Sequence, residues 1–146
     1  MRANEIMSAA PLAVTPDERV SRVAALMEEA DVGWIAVVDD LESMTLRGVI
    51  TDRDIVLRHL AKKHRKDCAV AEHMTTRDLV AVRPDTDMAD VLDAMRHAHV
   101  RRVAVIDADH RLVGVISLGD IALIMAEPDR VLEVLQWVSQ PAHAVH

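Results

Sequence analysis

Apolar residues fall into two periods along this chain. Val20, Val23, Ala24 and Met27 recur at the spacing of one helix face, while Arg22 and Glu29 lie off that stripe. Trp34 to Val38 is a short unbroken apolar run and Leu46 to Thr51 a β-branched one. Both read as strands, joined like a hairpin across Asp39-Asp40-Leu41-Glu42-Ser43. Leu12 to Thr15 is a shorter strand that Pro16-Asp17 ends with turn chemistry. Gly33 stands where the first helix calls for a left-handed C-cap residue. Asp52 and Asp54 suit the positive end of a second helix.

The same order then returns. Pro16-Asp17 is answered by Pro84-Asp85, the stripe Val20, Val23, Met27 by Met88, Val91, Met95, and Ile35-Ala36-Val37-Val38-Asp39 by Val103-Ala104-Val105-Ile106-Asp107. Gly48-Val49-Ile50-Thr51-Asp52-Arg53-Asp54-Ile55 is answered by Gly114-Val115-Ile116-Ser117-Leu118-Gly119-Asp120-Ile121, and Ile6-Met7-Ser8 by His73-Met74-Thr75. Asp87 is the N-cap candidate of the repeated helix. Self-similarity in so many elements, in order, means one fold unit duplicated. The reading places the first repeat at 1–61, a linker at 62–72, the second repeat at 73–126 and a C-terminal helix and tail at 127–146. That last helix, opened by Pro128 and striped by Val131, Leu132, Leu135 and Val138, has no counterpart in the first repeat. It suits either a subunit contact or packing on its own chain.

Composition narrows the function. At 146 residues each repeat alone buries little, so the two are expected to share a core. No apolar run approaches the roughly 20 residues that span a bilayer, so the chain is not expected to be a membrane protein. A net charge of −7 works against nucleic-acid binding, as does a chain whose aromatic residues are Trp34 and Trp137. The basic run Lys62-Lys63-His64-Arg65-Lys66 reads as a solvated helix end and linker. The first residues lack the layout of a secretory signal, and the single Cys68 cannot form an internal disulfide, so a reducing cytoplasmic setting is expected. Cys68 itself reads as a bystander.

Metal and catalytic chemistry find no familiar spacing. His97 and His99 stand two apart on a helix, His59 and His64 five apart, His73 and His110 singly, and His143 and His146 in a tail expected to be disordered. The expectation is no metal site. No nucleophile elbow or glycine-rich phosphate loop occurs, and nothing orients Thr51 and Asp54 as nucleophile and base, so the chain reads as a binder rather than an enzyme.

The paired Gly-apolar-apolar-Thr/Ser-x-x-Asp motif, the valine-rich strand ending in Asp, and the Met-Ser and Met-Thr openings resemble a cystathionine-β-synthase (CBS) domain pair, or Bateman module, over about residues 6 to 125. The resemblance implies a mixed α/β (α+β) fold of two β-α-β-β-α repeats related by pseudo-two-fold symmetry, with two clefts between them. It implies an adenosine-containing regulatory ligand, such as AMP, ADP, ATP or S-adenosylmethionine, and no cofactor. Asp54 and Asp120 would accept from ribose hydroxyls, and Thr51 and Ser117 would meet ribose or phosphate. Adenine would lie against Pro11, Leu12, Val32, Gly33 and Trp34 in one repeat and Leu79, Val80, Val100, Arg101 and Arg102 in the other. A carboxylate repels phosphate, so a guanidinium must serve it: Arg101 and Arg102 suit that role, with Arg53 as an addition or a surface ion pair. On this basis the site at Thr51 and Asp54 is expected to be the better one, unless Trp34 fills it. The resemblance further implies a homodimer and a separate effector protein; the alternative is a ligand-free structural or dimerisation module.

Overall fold

The computed structural model describes residues 1–64, 66–125 and 128–140; His143 and His146 lie outside them. In chain order the elements are α1 (Ala3–Ile6), β1 (Ser8–Ala9), β2 (Ala13–Val14), α2 (Val20–Ala30), β3 (Trp34–Val38), β4 (Leu46–Thr51) and α3 (Asp52–Asp54). A π-helix (Ile55–Leu60) continues α3, and a 3₁₀ turn (Val70–Glu72) follows. Then come β5 (Ala81–Val82), α4 (Met88–Ala98), β6 (Arg102–Ile106), β7 (Leu112–Ser117), α5 (Leu118–Ile124) and α6 (Pro128–Val138). The two central strands of the first repeat keep the limits that the apolar runs imply.

Two compact units result. One holds residues 11–79 and 109–112, and the other holds 1–10, 80–108 and 113–146. Their composition follows from an exchange of leading segments. Strand β1, at the start of the first repeat, pairs antiparallel with β7 of the second, Ser8 opposite Val115 and Ala9 opposite Gly114. Thr75, its equivalent in the second repeat, bridges Val49 of β4 through Val49 N–H to Thr75 O at 3.0 Å and Thr75 N–H to Val49 O at 2.8 Å. Each leading segment thus satisfies the edge of the other repeat's sheet, which would otherwise present unpaired backbone groups. The sheets are ordered β2-β3-β4 and β1-β7-β6-β5, with β2 parallel to β3 and β5 parallel to β6.

Each unit has its own core. Val14, Val20, Val23, Met27, Ile35, Val37, Ile50, Ile55, Cys68 and Val70 fill one. Met88, Val91, Leu92, Met95, Val103, Val105, Ile116 and Ile121, joined by Ala3 and Ile6 from the leading segment, fill the heart of the other. Ala24, placed on the α2 stripe by its spacing, is exposed; Leu26 packs on the core instead.

Two local expectations are corrected. Helix α2 is closed not by Gly33 but by Asp31, whose φ of 52° and ψ of 48° are left-handed; Val32 N–H then reaches back to Met27 O at 3.0 Å. His99 closes α4 identically, at φ 55°. Asp and His tolerate this region better than most side-chain-bearing residues, so glycine is not required. On α6 the core-facing stripe is Val134, buried, with Val131 and Val138 partly buried beside it, whereas Leu132 and Leu135 are exposed. The helix packs on α4 and α5 of its own chain, with Val134 buried and Arg96 within 3.9 Å of Glu133.

Candidate functional site

Both copies of the repeated motif build a capping box, because a Ser or Thr hydroxyl and a carboxylate three residues on can serve each other's backbone amides. In the first, Asp54 N–H donates to Thr51 Oγ1 at 3.0 Å and Thr51 N–H to Asp54 Oδ2 at 3.1 Å. In the second, Asp120 N–H donates to Ser117 Oγ at 3.1 Å and Ser117 N–H to Asp120 Oδ2 at 2.9 Å. Backbone bonds tie each motif helix to the residue just before β3 or β6: Gly33 O accepts from Asp52 N–H at 3.0 Å, and Arg101 O from Leu118 N–H at 2.8 Å.

The carboxylates then diverge. Asp54 Oδ2 also accepts from the Thr75 hydroxyl at 3.2 Å, and its Oδ1 lies 3.5 Å from the Arg58 guanidinium. Arg58 is held in turn by the carbonyls of His73 and Met74, at 2.9 and 3.1 Å. Asp54 is therefore spent on protein partners. Asp120 uses Oδ2 alone, accepting a further bond from the Ser117 hydroxyl at 2.6 Å. Its Oδ1 has no partner among the described residues.

Beside Ser117 lies a cavity of about 370 Å³, lined by Arg101, Arg102, Ser117, Leu118, Gly119, Ala122, Val131 and Leu135. Arg101 and Arg102 are exposed at the opening of β6 and enter no ion pair among the described residues; Arg101 reaches the Ser139 hydroxyl at 3.5 Å. Thus Arg101, Arg102 and Ser117 meet at one cavity, with Asp120 joined to Ser117. Val80 and Val100 pack on the core of the same unit, where Val80 O accepts from Ala104 N–H at 3.2 Å.

In the first repeat, Trp34 stands opposite Thr51 in the β3–β4 register and Gly33 abuts Asp52. Val32 packs on the core, Pro11 and Leu12 precede β2, and Arg53 is exposed. Leu79 belongs to this unit and not to that of Val80.

The chain spacing hides one cluster. His59, His64, Cys68 and His73 converge, each offering a donor atom within 4.8 Å of the others. His59 sits on the π-helix, and Lys63 at φ 58° turns the chain back so that His64 N–H bonds His59 O at 3.1 Å. A wider helical turn and a left-handed residue thus bring together histidines that α-helical spacing sets apart. His59 Nδ1 is 3.1 Å from His73 Nε2, and His64 Nδ1 is 3.5 Å from Cys68 Sγ. Burial holds the His73 imidazole below its ordinary pKa, helped by His59 and His64, and burial likewise raises the Cys68 thiol. The signal available in the sequence was the gathering of His59, His64, Cys68 and His73 into one short stretch. Cys68 is thus not the isolated bystander its sequence neighbours suggest. No described helix is long and apolar enough to cross a membrane.

Residues 3–60 and 70–127 each match the CBS domain family. The CBS domain-containing protein YhcV of Bacillus subtilis is 36% identical over 110 residues, 75% of each chain. The crystal structure of hypoxic response protein I with two coordinated zinc ions superposes with a TM-score of 0.76 at 31% identity, over 86% of this chain and 99% of that one. Hypoxic response protein 1 of Mycobacterium tuberculosis is 34% identical over 125 residues, 86% of this chain and 85% of its own. CBSX2 in complex with AMP superposes with a TM-score of 0.71 at 29% identity, over 84% of this chain and 93% of that one. Duplicated capping-box motifs, exchanged leading strands and a family match in both repeats together make the chain a member of the CBS domain family, carrying two CBS domains in tandem.

Proposed function

We propose that the chain is a regulatory binding module for an adenosine-containing ligand, seated at the second repeat. The observation that carries this reading is the cavity at Arg101, Arg102 and Ser117, whose volume falls in the range of small-molecule sites, about 300–1,000 Å³. Asp120 Oδ1 serves the ribose diol, since a carboxylate only accepts and a diol donates twice. Arg101 and Arg102 serve phosphate, where planar guanidinium forks pair bidentately. Leu118, Ala122, Val131 and Leu135 supply the apolar surface for the base. The AMP complex of CBSX2 supports the ligand class.

In the first repeat the same motif is structural, because Thr51, Thr75 and Arg58 already engage Asp54. Output is conformational: Val131 and Leu135 belong to α6, which the first repeat lacks, so a ligand in this cavity bears on a helix able to report to an effector protein or a second copy. Such coupling is typically about 1–3 kcal/mol and rests on differential affinity for two states. No turnover accompanies binding, since the Thr51 and Ser117 hydroxyls are engaged as caps.

Calorimetry and thermal shift with AMP, ADP, ATP and S-adenosylmethionine test the reading. Ligand at 100 times its Kd should stabilise the chain by about 2.7 kcal/mol, and ATP should be recovered intact. Silence with all four at millimolar concentration would leave the ligand-free structural module as the better account.

A further inference from the structure

We propose that His59, His64, Cys68 and His73 form a closed, four-ligand site for a divalent transition metal, zinc by preference, that pins the linker between the repeats onto the first one. Zinc takes nitrogen at about 2.0–2.1 Å and sulfur at about 2.3 Å in tetrahedral sites, which sets the edges between ligand atoms at roughly 3.3–3.6 Å. The His64–Cys68 pair at 3.5 Å already falls in that range, the His59–His73 pair at 3.1 Å lies just below it, and all four atoms lie within 4.8 Å of one another. Little movement separates this arrangement from a coordination shell.

The donor set also selects the ion. Three imidazoles and one thiolate suit borderline-soft metals over calcium or magnesium, which want oxygen. The four ligands leave no open position, which marks a structural rather than a catalytic site. His59 and His73 are buried, at 8% and 3% exposure, and Cys68 lines the core, so the ion would sit largely sheltered.

The scaffold around the cluster is held on several sides. Cys68 O accepts from Val20 N–H at 2.9 Å, and Asp67 accepts from Ser21 N–H at 3.0 Å and from the Ser21 hydroxyl, which fixes the approach to Cys68 against the start of α2. The Arg58 guanidinium holds the His73 carbonyl at 2.9 Å. Such a frame positions ligands before the ion arrives, as outer-shell contacts do in metal sites. Asp54 and Arg58 lie on the same continuous helix as His59, so an ion here would also stiffen the first repeat's motif.

The test uses the full chain, stripped with a chelator and titrated with Zn²⁺ and with Co²⁺. One ion per chain is expected, retained through dialysis. Co²⁺ should give the intense visible bands of a tetrahedral site together with a thiolate-to-cobalt charge-transfer band. Cys68→Ser should abolish that charge-transfer band. His64→Ala, at an exposed position whose loss leaves the core intact, should weaken zinc by more than about 100-fold, beyond the 10–100-fold typical of losing an outer-shell partner. A His143→Ala/His146→Ala double variant should bind as the parent does. Zinc affinity unchanged in both Cys68→Ser and His64→Ala, binding lost in the tail variant, or no retained ion in the parent would each overturn the proposal.

Discussion

Exchanging one carboxylate for its amide in each repeat separates the two roles that a common motif plays. In Asp120→Asn the amide oxygen can still accept from Ser117 N–H, as Asp120 Oδ2 does at 2.9 Å, so the capping box survives. What changes is the second position, where Oδ1 has no partner among the described residues: an acceptor with full negative charge becomes a neutral NH₂ donor. A hydrogen bond to a charged group contributes about 1.5–3 kcal/mol, so AMP affinity should fall roughly 10- to 150-fold. Stability should move by less than about 1 kcal/mol.

Asp54→Asn should behave in the opposite way. There the change disturbs Thr75 at 3.2 Å and the Arg58 guanidinium at 3.5 Å. Arg58 is about half exposed, so its ion pair contributes only about 0–1 kcal/mol, and the total cost should be about 1–2 kcal/mol of stability with AMP affinity nearly unchanged. Calorimetric titration with AMP and urea unfolding of both variants read the two effects separately. Lost affinity in Asp54→Asn with full affinity in Asp120→Asn would refute the assignment of the ligand to the second repeat.

Other predictions follow from the same contacts. A Cβ on Gly48 would stand 2.6 Å from the Thr75 carbonyl oxygen, a backbone atom, whereas one on Gly114 would meet the flexible Met7 side chain; Gly48→Ala should therefore cost about 1–3 kcal/mol in urea unfolding and Gly114→Ala less. Asp39 is held below the ordinary aspartate pKa of 3.8, first by the Ser43 hydroxyl, so it contributes stability above that value that is lost as pH falls through its lowered folded pKa. Ser43→Ala should reduce stability at neutral pH and flatten its fall below about pH 4, read by unfolding at a series of pH values. Leu57 and Leu123, equivalent positions of the two repeats, are 44% and 88% exposed, which suits a self-complementary contact between two copies; sedimentation should find a dimer that Leu123→Lys returns to the 16.2 kDa species.

Much of the fold was legible because local pattern and tertiary burial agree. Trp34 to Val38 and Leu46 to Thr51 are strands because each apolar run faces a core, and the Ser/Thr-x-x-Asp spacing announces its own capping box. The exceptions share a physical cause: they depend on which partner arrives from elsewhere in the chain. Nothing local says that Thr75 meets Asp54, or that Arg58 takes the other oxygen, so the motif at Thr51 and Asp54 reads as the better of the two sites. Nor does α-helical arithmetic put His59 beside His64, since the helix there has a π turn and Lys63 reverses the chain. On α6, spacing alone permits either of two adjacent stripes, and packing against α4 and α5 selects the valines.

Duplication gives two copies of one scaffold, and the neighbours of each motif decide what it can do. At the residues that open β3 and β6, the first repeat offers Gly33 and Trp34 where the second offers Arg101 and Arg102. The first therefore has no cation in that place for a phosphate, while its own cation, Arg58, is turned inward to Asp54 and to the carbonyls of His73 and Met74. Those same carbonyls belong to the segment that carries His73. In the first repeat, then, the motif's charge is consumed in holding the segment at His73 and Met74, and His59, His64, Cys68 and His73 converge. In the second, α6 walls the cavity with apolar side chains, and among the described residues Asp120 Oδ1 has no partner and Arg101 and Arg102 enter no ion pair. The difference between the surroundings of the two motifs thus arises from what each copy's C-terminal continuation does, rather than from the motif both copies share.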